Sequence, residues 1–297
     1  MLITGAAGFV GRHVAVGLRQ AGYVVRCLVR PGSVRRLPRL AGLEIAAVDL
    51  RAPQAVLAPA LAGVRVVVHA AGLRAQRPWR GETFAAVHVD ATARLVEAAE
   101  AAGVERFVLL SCLGAAPDSD LAYLRSKAQA ESIVQQSRLA WTVLRCGLIY
   151  GPGDGRVTRL ARWMRWFGRT PVVGDGLFLV QPIAVGDVVA GCVAAAAGRL
   201  EQRTLSAGGP DVLAFRDMVE LLAAAIDRRL PLLRIPVGPA RLLAAACRLS
   251  GVIPWTADEL QVMMRGYTCD PREYYEAAGL VRPLPFSAAV RAYLGPS

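Results

Sequence analysis

Tyr123-Leu124-Arg125-Ser126-Lys127 sets a phenol and an ammonium four residues apart in a helical pattern, which places both on one face. A phenol with a pKa of ~10 is a poor proton carrier at neutral pH, and a neighbouring cation brings it into useful range by favouring phenolate. Lysine can also hydrogen-bond a ribose and so hold a nicotinamide in place. Twelve residues before the tyrosine, just after an apolar strand pattern, Ser111 offers a hydroxyl able to hold and polarise a substrate carbonyl. Ser111, Tyr123 and Lys127 are therefore the candidate catalytic set. Composition singles out the last of them: of 35 basic side chains, 34 are arginine and Lys127 is the one lysine. Arginine serves wherever a fixed positive charge suffices, whereas the site after Tyr123 calls for a compact ammonium.

The second constellation is a phosphate-binding turn. Thr4-Gly5-Ala6-Ala7-Gly8-Phe9-Val10-Gly11 joins the first apolar strand to a helix that runs to about Ala21. Glycines there permit a tight turn and close approach of backbone to a pyrophosphate, which then sits on the positive end of the helix. Gly5, Ala7, Gly8, Phe9, Val10 and Gly11 are the candidate cofactor residues of this turn. At the end of the second strand, nineteen positions after Gly11, stands Arg30 where NAD-selective sites carry an acid. An arginine can pair with a 2′-phosphate, which predicts NADP(H) as the preferred cofactor and NAD(H) as the second choice. Arg12, Arg35 and Arg36 are candidate helpers. Asp49-Leu50 and His69-Ala70-Ala71-Gly72 close the next two strands at the carboxyl edge, where ligands bind in such folds. Asp49 suits the adenine amino group, and small Ala70 and Ala71 let a cofactor lie on backbone. His69 reads either as part of that edge or as a strand-end residue with a satisfied ring.

These residues need a scaffold that brings strand ends together. Apolar runs at Val24–Val29, Leu43–Val48, Val64–His69, Phe107–Leu110 and Thr142–Ile149 alternate with helical patterns, clearest at Val87–Ala102 and Leu121–Ser137. Alternation of this kind predicts an α/β fold: a doubly wound parallel sheet (Rossmann type) with a smaller, mostly helical C-terminal lobe. Residues 1–155 are expected to form the dinucleotide-binding domain, with 178–207 returning to it, and 156–177 and 208–297 to form the lobe. Asp187 is expected to cap a helix beginning at Val188. Val157–Arg169 is basic and amphipathic, with Leu160, Trp163, Met164 and Phe167 on one side and Arg162, Arg165 and Arg169 opposite, which suits a lobe helix, a substrate wall or a membrane surface. Leu230–Trp255 carries a similar texture.

With 54% hydrophobic residues the chain can bury a large core, which excludes disorder and coiled coil as the main organisation. No apolar run reaches a membrane-spanning ~18 residues. The net charge of +12 favours anionic partners, yet no nucleic-acid motif accompanies it. Six separated cysteines (Cys27, Cys112, Cys146, Cys192, Cys247 and Cys269) show no metal-ligand spacing and read as free thiols of a reducing cytoplasm. Met1 opens directly on the first strand, so no targeting segment is expected.

TGAAGFVG, Asp49-Leu50, HAAG, YLRSK and RCGLIYGPGD together resemble the short-chain dehydrogenase/reductase superfamily in its extended or atypical branch. VQPIAVGDVV, SAGGPDVLAFRDMVELL and WTADELQVMM resemble more narrowly the nucleotide-binding accessory subunit of respiratory complex I and its bacterial relatives. The resemblance implies Tyr123 as acid/base, Lys127 as the group that lowers its pKa and binds ribose, and Ser111 or its neighbour as the substrate-positioning residue. Three positions depart from the family pattern: His88 replaces the usual asparagine, Cys112 the second hydroxyl residue, and Cys146 a proline. Three functions stand on this footing: an NADP(H)-dependent oxidoreductase acting on a carbonyl or carbinol, a nucleotide-sugar epimerase or dehydratase that retains its cofactor, and a non-catalytic NADPH-holding module docked on a membrane or respiratory complex. The expected location is cytoplasmic, peripheral to the membrane where docking applies. The substrate and the oligomeric state stay open.

Overall fold

The computed structural model of the chain describes residues 1–38, 40–227, 230–246 and 255–294. Seven strands form one parallel sheet: β1 (Leu2–Thr4), β2 (Val25–Val29), β3 (Leu43–Ala47), β4 (Val66–His69), β5 (Arg106–Cys112), β6 (Ala140–Cys146) and a last strand, Arg203–Ala207. From one edge the order is Arg203–Ala207, β6, β5, β4, β1, β2, β3. The chain winds outward from β1 through β2 to β3, then crosses back to lay β4 on the other side of β1. That reversal opens a crevice between the carboxyl ends of β1 and β4, the place where ligands bind in open α/β sheets. The register sets Thr4 beside both His69 and Leu28, so three strand ends meet the crevice at one level.

The strands are apolar because helices cover both faces. Leu2, Val67, Phe107 and Leu109 are buried against Leu57 and Leu61 of α2 (Gln54–Leu61) and Leu95 of α3 (Ala91–Ala101). α1 (Phe9–Gln20) buries Val14, Ala15 and Leu18. α4 (Ala122–Gln135) buries Leu124, Ala130 and Val134. The helical pattern from Val87 is two structures in one: residues Ala85–Asp90 form a π-helical segment that passes into α3. Such widened turns concentrate at functional sites.

The chain divides into two compact units, Met1–Cys146 with Val188–Ala207 and Arg272–Val281, and Gly147–Asp187 with Gly208–Pro271 and Arg282–Ser297. These bounds depart from the sequence expectation. The apolar run Thr142–Ile149 breaks at Gly147: β6 ends at Cys146, and Leu148–Tyr150 pairs with Pro182–Ala184 in a separate ladder of the second unit. The return to the first unit starts at Val188. Arg272–Val281 rejoins it because Tyr274 fills the space left by the missing side chain of Gly191 and Glu273 pairs with Arg203 at 2.6 Å.

The second unit combines short strand pairs with helices around a core of Tyr150, Met164, Phe215, Trp255 and Phe286. Its helix Val157–Phe167 buries Leu160 and Met164 as the pattern predicts, whereas Phe167 is exposed, and Trp166, 70% exposed, carries the Arg162 guanidinium 5.8 Å from its ring centre. Asp187 lies inside the first turn of helix Val185–Ala196, which begins earlier than expected, so it is not the cap. Of the stretch Leu230–Trp255, residues 247–254 lie outside the described residues, as does Cys247. Among the described residues, Cys27, Cys112, Cys146, Cys192 and Cys269 form no disulfide. Among the described residues, no helix is long and apolar enough to cross a membrane, and no group of side chains forms a metal cluster.

Candidate functional site

The turn after β1 is shaped by contacts that only glycine allows. Gly5 has φ +70°, and a Cβ there would lie 2.7 Å from the backbone of Ala70 and Ala71. At Gly11 a Cβ would sit 2.2 Å from the Gly5 carbonyl oxygen, so this residue fixes how closely α1 approaches the turn. The Gly8 N–H donates to the Gly5 oxygen at 2.8 Å. α1 starts at Phe9 with no side-chain cap and no acid in its first turn. Its first N–H groups, those of Phe9 and Val10 among them, therefore face the turn with the positive end of the helix dipole behind them.

Beside this turn a cleft of about 220 Å³ opens, lined by Thr4, Gly5, Ala7, Gly8, Arg30, Asp49, Leu50 and the backbone of Ala70, Ala71 and Gly72. Nine expected cofactor residues thus share one wall system. The glycine cradle, the uncapped helix start and the strand-end side chains fit a dinucleotide. Phe9, Val10, Gly11, His69, Tyr123 and Lys127 do not line this cleft. Of the expected arginine helpers Arg36 lines it, while Arg12 and Arg35 do not. Sequence reasoning missed Ser33, Arg51, Leu73 and Glu82, which also line it. Ser33 had a findable signal, a hydroxyl three residues after Arg30. Glu82 pairs with Arg77 across a short turn that no local pattern marks, and had none.

Charges in the cleft are paired. Arg51 clamps Asp49 through its backbone N–H at 2.9 Å, Nε at 3.1 Å and Nη2 at 2.8 Å, and these hydrogen bonds hold the Asp49 carboxyl below its ordinary pKa. Arg30 pairs with Glu82, and Arg36 donates to the Ser33 hydroxyl at 2.8 Å.

His69 is buried beneath this edge. The Thr92 hydroxyl donates to the His88 carbonyl at 2.6 Å, so it accepts from His69 Nε2 at 3.0 Å, and His69 Nδ1 accepts from Thr4 Oγ1 at 2.6 Å. The ring is satisfied on both nitrogens and is a structural bolt rather than a wall of the cleft. Burial first, and the Lys127 charge second, push its pKa down to about 3.

The second cluster joins β5, α4 and the π-helical segment. Ser111 and Cys112 lie within β5 rather than after it, and the ladder continues to Cys112 opposite Cys146. Lys127 is buried and donates from Nζ to the Leu110 carbonyl at 2.6 Å, and desolvation lowers its pKa. Ser111 donates its hydroxyl proton to Glu131 Oε1. Glu131 is itself buried and clamped by Arg145 at 2.6 Å and 3.1 Å. The proton that would polarise a substrate carbonyl is thereby committed to a carboxylate. Cys112 is the neighbour that hydrogen-bonds Tyr123, and burial raises its thiol to about 11.

His88, from the π-helical segment, ties this cluster to the cleft. Its Nε2 accepts the Leu73 N–H at 2.8 Å, so Nδ1 carries the proton and donates to Ser126 Oγ at 2.8 Å, which donates to the Tyr123 carbonyl at 2.7 Å. Phe84 stacks on the ring at 5.3 Å, and Tyr123 meets it edge-on at 5.6 Å. Burial, with Lys127 and His69 adding to it, pushes the His88 pKa down to about 2.

A family model described as the NAD dependent epimerase/dehydratase family matches residues 1–208. Among curated proteins, the chain is 40% identical over 152 residues to the ceramide reductase of Caulobacter vibrioides, covering 51% of this chain and 47% of that one. It is 28% identical over 253 residues to NADH dehydrogenase [ubiquinone] 1 alpha subcomplex subunit 9, mitochondrial, of Arabidopsis thaliana, covering 82% of this chain and 62% of that one. The chain thus spans about half to three-fifths of the length of these relatives. Among solved structures, MoeE5 in complex with UDP-glucose and NAD superposes with TM-score 0.75 at 26% identity, over 99% of this chain and 96% of that one.

Proposed function

Given that the chain belongs to the NAD-dependent epimerase/dehydratase family, we propose that it is an NADP(H)-dependent oxidoreductase acting on a carbonyl or carbinol carbon, with Tyr123 as acid/base. The observation that carries this reading is the placement of Tyr123 one turn before a buried Lys127 whose ammonium is anchored on Leu110. The bound nicotinamide supplies or accepts the hydride. The chain supplies the rest. The Tyr123 hydroxyl gives its proton to the substrate oxygen as the carbonyl is reduced, or takes it back in the reverse direction. Lys127 stabilises negative charge gathering on the phenol oxygen, and its ammonium has two donors besides the one given to Leu110, with which it would hold a ribose. Cys112, in contact with Tyr123, takes the place beside the reacting oxygen that the sequence assigned to Ser111. His88 and Ser126 hold the first turn of α4 through the Tyr123 carbonyl.

NADP(H) preference rests on Arg30, Ser33 and Arg36 at the end of β2, where no acid stands. A second reading, a nucleotide-sugar epimerase or dehydratase, is favoured by the likeness to MoeE5 with UDP-glucose and NAD. A non-catalytic NADPH-holding module at a respiratory complex draws on the subunit 9 relative, and the exposed Trp166 beside Arg162 suits a peripheral position on a membrane.

Tyr123→Phe tests the mechanism. With a carbonyl panel and NADPH, wild type oxidises the cofactor, and the variant loses about 10²-fold or more in kcat while binding NADPH with unchanged affinity. Unchanged turnover in the variant refutes the assignment. Product formation from a nucleotide sugar without net NADPH oxidation selects the epimerase reading.

A further inference from the structure

The adenosine end of the cleft is closed by a short hairpin that the sequence did not mark. Arg77 and Glu82 pair antiparallel through backbone hydrogen bonds of 2.6 and 3.1 Å, with Gly81 turning the chain at φ +63°. Arg51 Nη1 holds the hairpin by donating to the Arg80 carbonyl at 2.9 Å. The hairpin delivers one carboxylate into the cleft. Glu82 is only 7% exposed, whereas its partner Arg30 is 47% exposed. One Glu82 oxygen takes Arg30 Nη1, and the other faces Arg77 at 3.6 Å. Its charge also reaches Arg51, and that of Arg30 reaches Asp49, so all these groups share one field.

We infer that Glu82 is a specificity-determining residue for the cofactor: it competes with a 2′-phosphate for the Arg30 guanidinium and so limits how far the site favours NADP(H) over NAD(H). This rests on the assignment of Arg30 to the 2′ position. A 2′-phosphate brings a charge of about −1.5 to −2, close to that of any phosphomonoester. It needs the same fork of donors that Glu82 already occupies. A 2′-hydroxyl brings no charge and competes for nothing. Among the charged side chains lining the cleft, Asp49 is neutralised by its own clamp with Arg51, which leaves Glu82 as the anion that a 2′-phosphate meets. The carboxylate therefore acts on the ratio of the two affinities and leaves the affinity for the shared parts of the cofactor alone.

The test is calorimetric or fluorescence titration of the whole chain with NADPH and NADH, for wild type, Glu82→Gln, Glu82→Asp and Arg30→Ala. Glu82→Gln keeps the size and the hydrogen bond to Arg30 and removes the charge. It is expected to tighten NADPH about tenfold, with NADH held within about twofold. Glu82→Asp keeps the charge, and its ratio is expected to stay within about threefold of wild type. A ratio unchanged in Glu82→Gln, whether both affinities move together or neither moves, overturns the inference and leaves Glu82 as a brace for the hairpin. Arg30→Ala reports separately on the 2′-phosphate reading: an NADPH-to-NADH ratio left at the wild-type value refutes that reading and the competition for Arg30 with it, whereas a lowered ratio there beside an unchanged ratio in Glu82→Gln refutes the competition alone.

Discussion

Two buried histidines make the stability of the first unit depend on pH in a way that can be worked out in advance. His69 and His88 have folded pKa values pushed to about 3 and about 2, against an unfolded value near ~6.5. A base whose folded pKa lies below its unfolded value takes up its proton only on unfolding. Stability is therefore full above pH ~6.5 and drains as pH falls from there towards the folded values. By pH ~5 each ring contributes a loss of about 2 kcal/mol, about 4 kcal/mol for the pair, a large share of the 5–15 kcal/mol typical of a domain. Burial is the first cause at both rings, and at His88 the hydrogen bonds also oppose a second proton in place. His88 Nε2 faces the Leu73 N–H, and a proton there would set two donors against each other. His69 Nδ1 faces the Thr4 hydroxyl, which in turn accepts the Ala71 N–H at 3.3 Å.

Urea denaturation between pH 8 and pH 5 on wild type and His88→Asn measures the effect. The variant has one buried imidazole fewer, so its stability should fall by about 2 kcal/mol less over that range, and taking the difference cancels the titrating carboxylates. The chain has three histidines, which makes imidazole ¹⁵N spectra tractable, and these should show His88 protonated on Nδ1 and His69 on Nε2 throughout. Equal pH slopes in the two proteins, or a His69 or His88 ring that titrates between pH ~5 and 7, would refute the reasoning.

Two further outcomes follow from the same contacts. Glu131→Ala removes the acceptor of Ser111 and the partner of Arg145, leaving a half-buried guanidinium uncompensated; a loss of about 3 kcal/mol in denaturant midpoint analysis is expected, and a loss below about 1 kcal/mol contradicts the pairing. Gly11→Ala places a methyl 2.2 Å from the Gly5 carbonyl oxygen, which neither backbone can yield to cheaply; NADPH affinity measured by fluorescence should fall at least about tenfold, and retained affinity shows that α1 can back away from the turn.

What the sequence reveals and conceals here follows from the range over which each signal acts. The glycine turn, the alternating apolar strands and the Tyr123/Lys127 pair are local patterns, and each of them maps onto its element with small shifts at the ends. Ser111 illustrates the limit. Its type and position nominate it for the substrate, but where its proton goes is decided by Glu131, twenty residues away, and by Arg145 on the next strand. The break at Gly147 is equally invisible in an apolar run, because both halves are strands and only their partners differ. Glu82 is nominated by nothing local, since its role arises when a hairpin folds back over Arg30.

The histidine at position 88 departs from the family pattern in sequence, because a titratable ring replaces the amide that the family resemblance leads one to expect. In the folded chain the ring stays neutral, and a neutral imidazole presents one acceptor and one N–H donor, so like an amide side chain it offers a group of each kind. Nε2 takes the backbone N–H of Leu73 at the cleft, and Nδ1–H supports Ser126 and through it the Tyr123 carbonyl. What keeps the ring neutral is burial, reinforced by the Lys127 charge, which also weighs on His69. The single lysine therefore acts twice. It stands one turn from the Tyr123 phenol, and its charge adds to burial in keeping a second cation from forming at His88, so the ring that stands in place of the asparagine keeps an acceptor for Leu73 and a donor for Ser126.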